Sequence, residues 1–569
     1  METSQANMLP NNALFRRLLS VSENRKGARI HDIAHGVNAS YSQLLRDVVK
    51  LRRRLQEVLD PILLTEEGIV CDDDVYICTA TSSSYDMIVA FFAILSVGAA
   101  IIPLSPDLMP EEVVDFYHRF NAKCIITHTA ATELATGIQY FTQTVALPAP
   151  NLVPVHACAA SDATDTQQVS IDPSITLPSN RPVIALFSSG TTGPPKGIIH
   201  ALRYFTANIG PLGPEEALVL AHRAMHFGAS LTSVITTILR GIRLDILRPD
   251  SSPEQVWERL RQGGVTNLAG SAGFWVSLME HFQQRLAGLP SQELQPYLDG
   301  ARGLRVANCS GVMAMPSTKL FWKEIRGRPL QMVWGSTESS IGLKTSSDVD
   351  TTYLNAIGRP IPGVTVKLSE GGHGEMRVKT PTMFLRYWDN ESLTRAAFDD
   401  EGFYRTGDLV YRHGDDYIIE GRASTDIINC SSTKIPILDV ETALSRLPYI
   451  SEAHVLPIAD PRTGSRVAAL VRCRSEQKSE LTLQCLREDL SSFLPLFQLP
   501  TVLRVLTEGE EVPRTTSGKP IRGKAKEIFF PQAADPSLRD LPSQVQVCDF
   551  NNRSTDLRPR RMWDTGGVQ

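Results

Sequence analysis

Eighteen successive residues, Met87 to Leu104, carry no charge. Such a run must leave water, either by crossing a bilayer, which takes about 20 apolar residues, or by lying wholly inside a fold. Ser96, Gly98 and Pro103 interrupt its second half, and Asp86 and Asp107 flank it without a basic anchor. A buried helix over Tyr85–Ser96, a glycine turn and a short buried strand over Ala99–Pro103 fit these residues as well as one continuous span. Together with the family resemblance given below, this makes no transmembrane segment the expectation. The flanking sequence continues the alternation. Tyr41 to Leu59 sets Leu44, Leu45, Val48, Leu51, Leu55 and Val58 at helical spacing, with Arg and Lys on the opposite face. Val75–Ala80 reads as a strand, Glu111–Asn121 as a helix and Cys124–Thr127 as a strand. This order predicts an α/β domain on a largely parallel sheet.

At 569 residues, with 42% hydrophobic and 21% charged residues, the chain has a globular composition and room for several domains. The balance of 57 basic and 62 acidic residues gives a net charge of −5, with no long basic run. No nucleic-acid partner is expected from that. Nine cysteines without a C-x-x-C pair predict neither a disulfide framework nor a zinc site. The start, METSQANMLPNN, lacks the basic-then-apolar order of a secretory leader, and the final Gly-Val-Gln is not a peroxisomal address. A cytoplasmic location is the expectation. Residues 148–182, rich in Pro, Ser, Thr, Ala and Asp, read as a surface excursion. Short strands with Gly and Pro punctuation begin near Ile357. A smaller unit begins near Gly421 and ends near Phe530. The division expected is a large domain over 1–420, a small one over 421–530 and an extended or disordered tail over 531–569.

The strand Ile184–Phe187 runs into Ser188 to Gly197, SSGTTGPPKG. Three glycines let the backbone turn its amides inward, the Ser and Thr side chains add hydroxyl donors, and Lys196 adds a point charge. Such a loop suits phosphate oxygens. It does not match the Gly-x4-Gly-Lys-Ser/Thr pattern of the Walker loop. A plain glycine-rich turn is the alternative on this segment alone.

This loop resembles the phosphate-binding signature of the adenylate-forming (AMP-binding) superfamily, which includes acyl-CoA synthetases, nonribosomal-peptide adenylation domains and beetle luciferases. Further segments match in the same order. They are Phe91 to Pro106, Trp334-Gly-Ser-Thr-Glu338, Gly358 to Gly363, Tyr404-Arg-Thr-Gly-Asp408, Gly421-Arg422 and Pro513 to Lys519. The match spans roughly residues 10 to 530. The resemblance implies a large N-terminal domain of stacked, largely parallel sheets with helices plus a small distorted barrel, followed by a small mobile α+β C-terminal domain.

The resemblance also implies roles for individual residues. Ser188, Ser189, Gly190, Thr191, Thr192, Gly193 and Lys196 would hold the ATP phosphates. Thr337 offers them a hydroxyl, and Glu338 would hold Mg²⁺, since a hard cation takes oxygen ligands. Gly311, Trp334, Gly335 and Ser336 would flank the nucleotide. Asp408 would accept hydrogen bonds from the ribose, with Arg422 beside it. Lys519 would reach from the small domain and offset the negative charge that builds as a carboxylate attacks phosphorus. His226, in Ala224-Met-His-Phe-Gly228, stands where relatives carry an aromatic or His in the acid pocket, and either orients the acid or packs.

One stretch departs from the pattern. After Gly421-Arg422 the chain reads ASTDIINCSSTKIPILDVE, with Asn429 where the family commonly has Lys and Ser432 where it commonly has Gly. In the family the small domain rotates about this hinge, and the stretch then shapes the pantetheine tunnel. The departure bears on the thiol step. The reading is an ATP-dependent ligase that converts a carboxylic acid to acyl-AMP and then to a CoA thioester, in specialised rather than central metabolism. The alternatives are a stand-alone adenylating enzyme that loads a separate carrier protein, and a non-catalytic nucleotide-binding regulator.

Overall fold

The uncharged run folds as a helix over Tyr85–Ser96, buried along its whole length, and a buried strand over Ala100–Pro103. This is seen in a computed structural model that describes residues 7–128, 132–155, 168–187, 196–207, 209–346, 355–422, 426–430, 433–460, 464–474, 481–515, 518–531 and 544–548. Gly98 makes the turn between the two elements at φ +77°, where a side chain would be strained and a Cβ would meet Ile69 at 3.0 Å. Arg181 donates to Gly98 O (2.8 Å) and to Val70 O (2.9 Å), pairing carbonyls that burial would otherwise leave unsatisfied. No described helix is long and apolar enough to cross a membrane.

That strand lies in a seven-stranded sheet. Its order is Arg386–Tyr387, Gly197–Ala201, Pro182–Phe187, Ala100–Pro103, Tyr76–Ala80, Ile125–His128 and Leu152–Val155. From Pro182–Phe187 to Leu152–Val155 the pairs are parallel, while Gly197–Ala201 and Arg386–Tyr387 add antiparallel pairs at one edge. A thirteen-stranded sheet has a parallel centre: Ala28–Asp32, Arg243–Ile246, Leu218–Ala221, Asn267–Ser271, Val306–Ser310 and Gln331–Ser336. Beyond Gln331–Ser336 it continues antiparallel through Ser340–Lys344, Ala356–Pro360, Asp416–Arg422, Tyr404–His413, His373–Lys379 and Thr365–Leu368. This antiparallel run stands where the small barrel was expected, hydrogen-bonded to the parallel strands.

The helices on these sheets follow their sequence cues. Ser40 caps Tyr41–Val58 by accepting from Gln43 N at 3.1 Å. Leu44, Leu45, Val48, Leu51 and Leu55 of its stripe join the largest apolar core, along with the helix Tyr85–Ser96, while Val58 at the end of the stripe is exposed. A second core forms around Trp257, Trp275 and Trp322, with Trp257 stacked on Trp322 at 5.6 Å and Trp275 edge-on to Trp322 at 4.8 Å.

A separate six-stranded sheet begins at Ile427–Cys430, just past the end of the large sheet at Arg422. Its centre is Ile450–Asp460 against Gly464–Cys473, covered by the helices Ile437–Leu444 and Leu483–Leu490. Asn355 ties it to the large sheet, donating to Asp439 Oδ1 at 3.3 Å and accepting from Thr442 at 3.0 Å.

Two spans read from composition alone hold short strands. The span 148–182 holds strand Leu152–Val155 at a sheet edge and strand Ser170–Thr176, which pairs in parallel with Met8–Asn11. Short strands at sheet edges bury little and leave only a faint apolar alternation in the sequence. Likewise, within the expected tail 531–569, Val545–Val547 pairs antiparallel with Val502–Val505 in the small sheet.

Candidate nucleotide and acid site

Parallel strands deliver their C-terminal ends to one rim, the usual place for a site in an α/β fold. Pro182–Phe187 ends at the glycine-rich loop, of which Ser188, Ser189, Gly190, Thr191, Thr192 and Gly193 lie outside the described residues. Val306–Ser310 ends at Gly311, which has φ +92° and open space around its Cα. Gln331–Ser336 carries Trp334-Gly-Ser to the same rim, with Ser310 paired to Val333.

The turn after Gln331–Ser336 is tightly built. A Cβ on Gly335 would lie 2.4 Å from Ser340 O, so only glycine passes here. Ser336 Oγ accepts from Ser339 N at 3.2 Å and lies 3.0 Å from Ser339 Oγ, which commits its hydroxyl to the turn rather than to a ligand. The next three residues are held from outside. Buried His200 donates from Nε2 to Thr337 O at 2.8 Å. Phe384 N donates to Glu338 O at 2.8 Å, and Thr382 Oγ1 to Ser339 O at 3.1 Å. Burial lowers the His200 imidazole to about 3, so it is neutral at physiological pH. Glu338 Oε1 accepts from Tyr387 OH at 3.0 Å. Its second oxygen and the Thr337 hydroxyl have no protein hydrogen bond among the described residues.

Asp408 is the most buried of the candidate site charges, at 3% exposure. Its Oδ2 accepts from Trp334 Nε1 at 2.8 Å, and its Oδ1 forms an ion pair with Arg422 Nε at 3.1 Å. Thr406 Oγ1 supports it by accepting from Asp408 N at 3.0 Å and donating to Met376 O at 2.6 Å. Burial raises the Asp408 carboxyl above its ordinary range, against the pull of Arg422 and the Trp334 hydrogen bond. At Arg422, burial works to lower the guanidinium, but the surrounding Asp408, Tyr404, Glu338 and Asp426 outweigh it and the net shift is upward. Trp334 packs its ring over Gly342, where a Cβ would lie 2.6 Å from it.

Lys519 comes from the small unit, in a turn closed by Thr515 N to Lys519 O at 2.8 Å and Lys519 N to Thr515 Oγ1 at 3.1 Å. Its ammonium is lowered by burial and by Arg422, and supported by Asp408, Asp426 and Glu338. Residues from four distant segments therefore share one electrostatic neighbourhood: Glu338, Asp408, Arg422 and Lys519. Lys196 stands beside them, its Nζ 5.7 Å from the centre of the Tyr387 ring.

His226 occupies the turn before the helix Gly228–Leu239 and makes no hydrogen bond to that group among the described residues. Its Nδ1 is buried without a partner among the described residues, and burial lowers its pKa against a weaker pull from Asp107. Nearby, Phe274 stacks on His222 at 3.9 Å, while Trp275 is spent in the tryptophan core. Asn429 is exposed on the strand Ile427–Cys430, paired in register with Lys434, and Ser432 lies outside the described residues. Sequence reasoning missed His200, Thr382 and Tyr387. None stands in a motif, and only sheet pairing brings them to Thr337–Ser339.

This fold and site define an adenylate-forming enzyme. The sequence matches the AMP-binding enzyme family over residues 22–388 and the AMP-binding enzyme C-terminal domain over residues 439–519, and the chain belongs to that family. It is 37% identical over 532 residues to the acyl-CoA ligase oryP of Aspergillus oryzae, covering 92% of this chain and 94% of that one. The human mitochondrial malonate–CoA ligase ACSF3 is 26% identical over 378 residues, covering 60% of this chain and 64% of that one. Among solved structures, ATP-bound MatB from Rhodopseudomonas palustris has the same fold at TM-score 0.73 and 19% identity, covering 92% of this chain and 99% of that one. The present chain is an ATP-dependent acid–CoA ligase of the AMP-forming type.

Proposed function

We propose that the residues gathered at this rim carry out both halves of the ligation on a specialised carboxylic acid. In the first half, a carboxylate oxygen of the acid forms a bond to the α-phosphorus of ATP. The bond from that phosphorus to the bridging oxygen of the β-phosphate breaks, and pyrophosphate leaves. Lys196 and the glycine-rich loop hold the phosphates, Asp408 accepts from the ribose hydroxyls, and Lys519 offsets charge on the α-phosphate and the attacking carboxylate. In the second half, the thiol of CoA loses its proton and attacks the acyl carbonyl, and AMP leaves.

Glu338 fits Mg²⁺. It is half-buried, with one oxygen fixed by Tyr387 and the other unspent. No cluster of three His, Cys, Asp or Glu gathers to hold a metal among the described residues, so phosphate and water would complete the shell, as Mg²⁺ prefers. The ion would neutralise the phosphates as pyrophosphate departs. His226 is neutral at physiological pH in this reading and orients the acid by its polar edge.

The observation that carries the proposal is the shared neighbourhood of Lys519, Asp408, Arg422 and Glu338, drawn from segments far apart in the chain. Pyrophosphate release with Mg·ATP, over short, medium, long-chain and aryl acids with and without CoA, tests it. Turnover that CoA strongly increases supports these assignments. Release indifferent to CoA would move the acceptor to a separate carrier protein and turn attention to Asn429.

A further inference from the structure

Lys196 and Glu338 are far apart in sequence, and one side chain touches both. The segment that bears it is bonded into the site from two directions. Leu385 N donates to Ile199 O at 2.7 Å and Trp388 N to Gly197 O at 2.8 Å, while Phe384 N donates to Glu338 O. The short strand Arg386–Tyr387 thus pairs antiparallel with the strand that leaves the glycine-rich loop, with Tyr387 opposite Ile198. This register sets the Tyr387 ring under the Lys196 ammonium and its hydroxyl on Glu338 Oε1. Tyr387 is 6% exposed, its ring in tilted contact with Phe384 at 4.8 Å. A phenol carries one O–H and a carboxylate can only accept, so the Tyr387 hydroxyl is the donor of this hydrogen bond.

We infer that Tyr387 is a positioning residue for the ATP half-reaction. Its phenol fixes one oxygen of Glu338 and so leaves the other for the phosphate-bound cation, and its ring face sets the place of Lys196. The inference rests on the assignment of Glu338 to Mg²⁺ proposed above. A residue that merely filled the core would be indifferent to the loss of its hydroxyl alone. A carboxylate released from that hydrogen bond would instead swing, and its grip on the cation would loosen while nucleotide binding without metal stayed intact.

The test is calorimetric titration of the full-length protein with ATP in the presence and absence of MgCl₂, and with AMP. In the wild type Mg²⁺ is expected to tighten ATP binding. Tyr387→Phe keeps the ring and its contact with Lys196. It is expected to reduce the Mg²⁺ advantage about tenfold, the usual effect of losing one hydrogen bond to a charged group. AMP affinity and melting temperature should stay at their wild-type values. Tyr387→Leu also removes the ring face and is expected to weaken ATP binding without Mg²⁺ by about two- to fivefold. A Tyr387→Phe protein with the wild-type Mg²⁺ advantage overturns the inference, as does one that loses AMP and ATP affinity alike. Glu338→Gln separates the two levels. If it retains the Mg²⁺ advantage, the metal assignment falls and takes the inference with it. If it loses the advantage while Tyr387→Phe keeps it, only the inference falls.

Discussion

Replacing Asp408 by asparagine is the sharpest single perturbation of the nucleotide half of the site. The carboxylate takes the Trp334 indole on one oxygen and Arg422 on the other, and retains lone pairs for a ribose diol. Asparagine has the same shape but turns one of those oxygens into a donor, which must then face either an indole N–H or a guanidinium N–H. Each ribose hydroxyl that bonded a charged acceptor would bond a neutral one or none. Hydrogen bonds to charged groups contribute about 1.5–3 kcal/mol and neutral ones about 0.5–1.5 kcal/mol. Two such bonds weakened together amount to about 2–3 kcal/mol, or roughly a 30- to 150-fold loss of AMP affinity. The fold should respond in another way. Burial raises the Asp408 carboxyl in the folded state, so its ionised form opposes folding at neutral pH and asparagine removes that cost. Titration calorimetry with AMP, beside a thermal melt, separates the two effects. AMP affinity within threefold of wild type would refute the ribose role and leave Asp408 as an anchor for Trp334 and Arg422.

Further outcomes follow from other residues. Lys519→Ala should slow pyrophosphate release by about 100- to 1000-fold, the scale of losing one preorganised charge stabiliser, with AMP affinity nearly unchanged. Stopped-flow release against calorimetry checks the split. Gly335→Ala forces a Cβ to within 2.4 Å of Ser340 O, and overpacking of this kind costs about 1–3 kcal/mol. It should lower the melting temperature and ATP affinity together. Trp322→Ala empties the centre of the tryptophan core and should cost about 3–5 kcal/mol in urea unfolding, with the AMP affinity of the remaining folded protein intact. His200 and His222 are lowered by burial to about 3 and about 4. Between pH 6.5 and 4 the unfolded chain binds protons there that the folded chain does not, so stability should fall as pH falls. His222→Asn should flatten that slope over the same range, as urea midpoints at successive pH values would record.

The sequence was most legible where burial and local geometry speak together. Tyr85–Ser96 needed no tertiary information, because an uncharged run bounded by Gly98 admits few alternatives. Tyr41–Val58 was equally plain from its leucine stripe and its Ser40 cap. At the site, the residues named from motifs at Trp334, Glu338, Asp408, Arg422 and Lys519 meet in space. What stayed hidden are the parts that exist only by pairing. Tyr387 gains its meaning from lying opposite Ile198, His200 from the carbonyl of Thr337, and Asp408 from the indole of Trp334. No local pattern announces any of these. The edge strands Ser170–Thr176 and Val545–Val547 escaped for a similar reason, since each is made by the partner it finds rather than by its own apolar content.

That last strand bears on handling the protein. Val545–Val547 covers one side of Val502–Val505, and Gln546 reaches on to the helix Leu483–Leu490 by accepting from Leu483 N at 2.6 Å. A chain clipped after Phe530 would keep every residue assigned here to catalysis. It would also bare a valine- and leucine-rich ladder with unpaired amides, the kind of margin that recruits strands from other molecules. Such a clipped enzyme should turn over normally when fresh and precipitate on standing, so storage life rather than specific activity would reveal what the strand contributes.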